Sequence, residues 1–130
     1  MHPYLRELLE LDLTIGDWAL FGSGPLLVRG WIDNVGDLDI IARDAAWESA
    51  QTVGTENVLG DGTVIFEIGA GITVGRNWAY GDFSIDELID TAEIIGGVPC
   101  VLLEHVIAYK KLADRPKDRL HLALIGERNE

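Results

Sequence analysis

The chain has 130 residues, 48% of them hydrophobic, and a formal net charge of −12, which suits one globular domain with a single core. No apolar run approaches the ~20 residues of a membrane helix, and the N-terminal MHPYLRELLELDL lacks the basic start and apolar centre of a signal peptide. The single cysteine, Cys100, excludes an internal disulfide and fits a reducing, cytoplasmic setting, while the acidic balance repels extended nucleic acid and favours divalent metals or amine-bearing small molecules.

Pro3 to Leu11 is predicted as a first helix, with Leu5, Leu8 and Leu9 on one face. DWALFGS reads as a short buried strand ending in a glycine turn, and PLLVRGW as one or two helical turns with Pro25 at the first position. DLDIIAR alternates at its start and is expected to be a strand. The helix DAAWESAQTV follows, with Asp44 positioned to cap it. ENVLGDGTVIFEIG is expected to form two strands around Gly60-Asp61-Gly62, a hairpin signal, and ITVGRNWAYGD an edge strand or a loop. Ser84 and Glu87 form a capping box at the next helix start, where Phe83 can staple onto Leu88. AEIIGGVPCVLL reads as a short strand and turn. LLEHVIAYKKLA and PKDRLHLALIGERN close the chain as two helices, split at Asp114-Arg115-Pro116 because proline ends one helix and can start another. The result is a single α+β (or α/β) domain over residues 1–130, a small mixed sheet flanked by helices, with a core at about 13–95 and closing helices at about 101–127.

Alternation along a strand puts Asp37 and Asp39 on one face and Leu38 and Ile40 on the other. Two carboxylates ~7 Å apart along that face repel unless a cation lies between them. Magnesium takes such hard oxygen ligands and leaves room for phosphates. Taken alone, such a pair is more often a solvated strand end. Glu67 stands in the otherwise apolar VIFEI, on the side opposite Val64, Phe66 and Ile68. A carboxylate there calls for solvent, a partner or a metal, and an exposed hairpin face explains it nearly as well. FGSGP follows a strand; its small residues and backbone N–H groups suit phosphate oxygens, with the Ser23 hydroxyl as a further donor. It is not a Walker loop, since no G-K-[ST] follows, nor a dinucleotide fingerprint, since Leu27 holds the third glycine position.

With these pieces in order, the chain resembles the nucleotidyltransferase superfamily (DNA polymerase β-like fold), in particular its minimal bacterial members. FGSGP matches the hydrophobic-Gly-Ser signature, GDLDII the aspartate pair, and LEHVIAYKKLADRPKDRLHLALI the closing helices, so the likeness runs from about Leu13 to Ile125. GPLLVRGWIDNVG is longer than the same segment in many relatives, Glu67 stands where aspartate is usual, and His121 where an acidic residue is often found. The resemblance implies transfer of a nucleoside monophosphate from an NTP to an acceptor hydroxyl, with magnesium in a two-metal site as cofactor and pyrophosphate released. By motif position Asp37, Asp39 and Glu67 would be the metal-binding and catalytic residues, Glu67 completing the second metal's shell or acting as base. Gly22 and Ser23 would hold the outgoing phosphates.

Lys110, Lys111, Arg115 and Lys117 supply most of the positive charge near the C-terminus; one or two of them, Lys110 and Lys117 foremost, are candidates for neutralising the triphosphate, beside the plainer role of a basic helix end. Relatives act on antibiotics, partner proteins or tRNA ends; the acidic balance here leans toward a cationic small molecule. So short a core is expected to need a homodimer or a partner chain to finish its acceptor pocket. The alternative is a catalytically weakened member of the same fold serving as a binding or regulatory protein, such as a toxin–antitoxin component. A plain acidic scaffold stands behind both. His105 and His121 are expected to be helix residues and not metal ligands, and Cys100 a small buried hydrophobe. Trp31 and Trp78 lie close enough in sequence to the motifs to stack on a base.

Overall fold

The computed structural model describes residues 1–76 and 84–128; the stacking expected of Trp78 and the Phe83 staple lie outside them. Helix α1 (Pro3–Glu10) precedes β1 (Trp18–Phe21), and α2 (Gly24–Val28), β2 (Leu38–Ala42) and α3 (Asp44–Val53) follow. Next come β3 (Thr55–Val58), β4 (Val64–Ile68), β5 (Ile72–Gly75) and α4 (Ile85–Asp90). The hairpin β6 (Glu93–Ile95) and β7 (Val98–Cys100) leads into α5 (Leu103–Ala113) and α6 (Pro116–Arg128). The fold is α+β: among the described residues one mixed sheet has seven strands in the order β3-β4-β5-β2-β1-β7-β6.

Two features of this sheet differ from expectation. β5 is an interior strand, parallel to β2 and antiparallel to β4, and not an edge. EIIGGVPC supplies a whole hairpin where one strand and a turn were expected. Gly96 and Gly97 both have positive φ, 56° and 83°, as a two-residue primed turn requires.

Helices cover the central strands on both faces, which is why WALF and IIA read as unbroken apolar runs. On one face Leu20, Ile40, Phe66 and Val74 pack with Leu8 of α1 and Ala46, Trp47 and Ala50 of α3. Trp47 meets Phe66 edge-on, with ring centroids 5.3 Å apart. On the other face Ala19, Phe21 and Ile41 pack with Leu88 and Ile89 of α4 and with Val106 and Tyr109 of α5. Asp39 shares the strand with these residues, two positions before Ile41, and so looks toward the α4–α5 side.

Capping is as expected at α4, where Ser84 accepts from the Glu87 N–H at 3.3 Å. At α3 it is not. Asp44 is the first residue of the helix, and Asp17 accepts from the Ala45 N–H at 3.2 Å in its place. Arg43, just before α3, ties that corner to α4 through Asp86 at 2.8 Å and Asp90 at 2.6 Å. Cys100 is fully buried, and burial pushes its thiol up to about 11, so it behaves as a small hydrophobe.

Candidate active site

Antiparallel pairing of β1 with β2 sets Phe21 opposite Asp39. The turn after β1 therefore arrives beside the start of β2, and Gly22-Ser23 meets the aspartate pair although residues 24–36 intervene. Gly22 has a φ of 64°, and a Cβ added there would stand 3.0 Å from Asp39 Oδ2. Backbone conformation and close approach both call for glycine.

A cavity of about 200 Å³ opens here. Gly22, Ser23, residues 34–36, Asp37 and Asp39 line it together with Arg115, just before α6, and Lys117 and His121 of α6. The long segment after Gly24 thus contributes a helix to the core side and a wall to the cavity. Trp31 is not among the lining residues; its ring lies 5.5 Å from the Arg29 guanidinium.

The two aspartates differ in setting. Asp37 precedes β2 and is exposed, and its Oδ2 accepts the Thr73 hydroxyl at 2.9 Å. Asp39 is partly buried; burial, then the Asp37 charge, push it up to about 7, with Lys117 and Arg115 pulling the other way. Two crowded hard-oxygen donors beside open space are a donor set that magnesium takes, with positions left for phosphate and water. The pair fits one ion.

Glu67 does not join them. Asp39 pairs with Thr73 on β5, and Thr73 pairs with Glu67 on β4. Two strand spacings, roughly 10 Å, separate the backbones of Glu67 and Asp39, and Thr73 occupies the place between. Among the described residues no group of three or more His, Cys, Asp or Glu could hold a metal. Glu67 borders a second cavity of about 200 Å³, shared with Asp37, Gly69, Gly71 and Thr73. The expected centre of three carboxylates is a pair with a threonine beside it. The alternation of VIFEI set the face of Glu67 correctly; no local pattern says which strand lies next to β2.

The two lysines also part company. Lys117 lines the cavity, whereas Lys110 is fully buried behind it. Lys110 Nζ donates to Ser23 Oγ at 2.9 Å and to Asp118 Oδ1 at 3.3 Å, and lies 3.0 Å from His121 Nδ1. Asp118, buried as well, accepts from Arg115 Nε at 2.6 Å, Arg115 Nη2 at 3.1 Å and the Arg115 backbone N–H at 3.1 Å. Burial works against the Asp118 charge, but the bonds from Arg115 and Lys110 outweigh it and hold the carboxyl down to about 2. Ser23 stands at the N-cap of α2 yet makes no side-chain cap bond; its hydroxyl is engaged by Lys110 and lies 3.2 Å from His121 Nδ1.

Thr73, Asp118 and His121 carry no role in the sequence-based site. One signal was available for the last: Lys117 and His121 are spaced i, i+4 in α6 and so share a face. No protein-family model matches the chain, and neither curated proteins nor solved structures give a match. Among the described residues no helix is long and apolar enough to cross a membrane.

Proposed function

We propose that the chain is a minimal nucleotidyltransferase, moving a nucleoside monophosphate from an NTP to an acceptor hydroxyl. One observation carries this reading: Asp37 and Asp39 at the start of β2 and Arg115 and Lys117 around the start of α6 line the same cavity beside Gly22 and Ser23. A triphosphate needs cations against its oxygens and tolerates carboxylates only through a metal. Asp37 and Asp39 would hold magnesium, which when bound supplies charge neutralisation at the phosphates.

The chain's own groups do the rest. Arg115 is oriented by Asp118, which leaves its Nη1 without a partner among the described residues. Arg115 and Lys117 then take up the negative charge that gathers on the departing pyrophosphate. Gly22 lets phosphate oxygens come close to the backbone, and Ser23 adds a hydroxyl. Asp37 borders both cavities, and Glu67, which holds no metal in this reading, is the carboxylate of the second one that would take the acceptor's proton. A cationic acceptor matches the second cavity, where Asp37 and Glu67 lie together. A second copy or a partner chain completing that shallow pocket belongs to the same proposal.

The test is product formation. With magnesium and ATP or GTP labelled at the α-phosphate, an acceptor panel of amine-bearing polyols, tRNA and candidate proteins is scored for pyrophosphate and for label on the acceptor. Transfer that disappears in Asp37→Ala and Asp39→Ala supports the reading; transfer that survives both substitutions contradicts it. Thr73 between Asp39 and Glu67 favours a second reading, a nucleotide-binding regulatory or toxin–antitoxin component without transfer. Nucleotide binding with no pyrophosphate across the panel is the outcome that selects it.

A further inference from the structure

His121 lines the cavity beside Arg115 and Lys117, and its ring reaches back to a buried ammonium. An ammonium has three donors and no acceptor. Those of Lys110 are directed at Ser23 Oγ, His121 Nδ1 and Asp118 Oδ1, at 2.9, 3.0 and 3.3 Å. Burial lowers the pKa of Lys110, and the Asp118 carboxylate, fully buried beside it, opposes that and favours the charged ammonium. A charged ammonium can only donate across this contact, and Ser23 Oγ, 3.2 Å from the same Nδ1, also has a hydroxyl proton to offer it, so the geometry favours an accepting Nδ1 over the imidazolium and the Nδ1–H tautomer. That places the ring proton on Nε2.

Nε2 has no partner among the described residues, and it is not among the buried atoms left unsatisfied, so it reaches open space where His121 lines the cavity. The groups facing the ring come from every side: Lys110 of α5, Asp118, Lys117 and Arg115 of α6 and its lead-in, and Ser23 of the glycine turn. Asp37 and Asp39 line the same cavity. Burial, then Lys110, lower the pKa of the ring, with Asp118 opposing. Ser23 Oγ accepts from the same ammonium and keeps a proton of its own to give.

We infer that His121 binds the ligand as a neutral donor, its Nε2–H meeting a phosphate oxygen of the nucleotide, in a tautomer set by the buried Lys110–Asp118 pair. This rests on the nucleotide reading of the cavity. Lys110 and Asp118 are positioning residues that act through His121 and Ser23. Beside two cations, a neutral donor adds direction to phosphate binding without adding charge that must be overcome when pyrophosphate leaves.

Long-range ¹H–¹⁵N spectra of the imidazoles, assigned with His121→Gln, read the tautomer without ligand. The expected His121 ring is Nε2–H at pH 7 and titrates below the ordinary histidine value of about 6.5. An Nδ1–H ring, or one titrating above that value, overturns the inference. Sodium pyrophosphate added with magnesium should move the His121 Hε2 resonance downfield. His121→Asn, whose amide takes the place of Nδ1, should weaken pyrophosphate binding about tenfold, and His121→Gln, whose amide reaches toward Nε2, distinctly less. Shifts at the Arg115 and Lys117 amides with His121 unmoved overturn the role of His121 and leave the nucleotide reading standing. No shift at any of the three overturns both.

Discussion

At Asp39 a partly buried carboxylate stands beside a second one, and burial, then Asp37, push it up to about 7. In an unfolded chain the same group titrates near 3.9. A carboxyl raised by folding contributes stability that is full below about 3.9 and is lost as pH rises through about 7. In EDTA the parent should therefore lose stability across that window on account of Asp39. Asp39→Asn, which never ionises, should lack the loss and be the more stable protein at pH 8. Urea unfolding at pH 5 and pH 8 measures this; an Asn variant less stable than the parent at pH 8 contradicts it. The crowding of the two carboxylates is legible in the sequence as D-x-D because strand alternation alone puts both side chains on one face. Lys110 shows the limit of such reading. In sequence it is one of several basic residues near the C-terminus, and only packing reveals that its three donors are already taken.

At the scale of elements, the joint between α5 and α6 turns on the same lysine. Both Lys110 and Asp118 have fully buried side chains. Removing one partner of a buried pair leaves the other charge uncompensated, so Asp118→Ala should cost about 3–5 kcal/mol. The Asp118 carboxyl lies near 2 in the folded chain, so its contribution is full above about 3.9 and fades as pH falls through about 2. Urea unfolding at pH 7 sees all of it. A loss under about 1 kcal/mol would mean that the pair is worth no more than a surface ion pair. The helices and the first hairpin were readable because their caps, prolines and glycines are local signals. β5 was not, since all four of its residues are buried and it offers no alternation. The cap of α3 was misread for a related reason. Asp17 reaches Ala45 across 28 positions, a contact that tertiary structure supplies and local pattern does not.

For the whole molecule, strand order decides the site. β2 lies at the centre of the sheet with β5 and β1 as neighbours, so the glycine turn after β1 comes to the aspartates and β4 is kept one strand away. The family resemblance implied the first meeting; the second separation depends on nonlocal pairing and left Glu67 outside. The net charge of −12 opposes a triphosphate at long range. On the proposed function, a metal at Asp37 and Asp39 and the local cations Arg115 and Lys117 would have to carry the binding. Calorimetric titration of ATP in magnesium tests this most directly, with the parent, Asp37→Ala and Asp39→Ala compared in the same buffer. The prediction is saturable binding to the parent that EDTA abolishes and that each substitution weakens at least about tenfold. No binding to the parent, or equal binding to all three proteins, would contradict it.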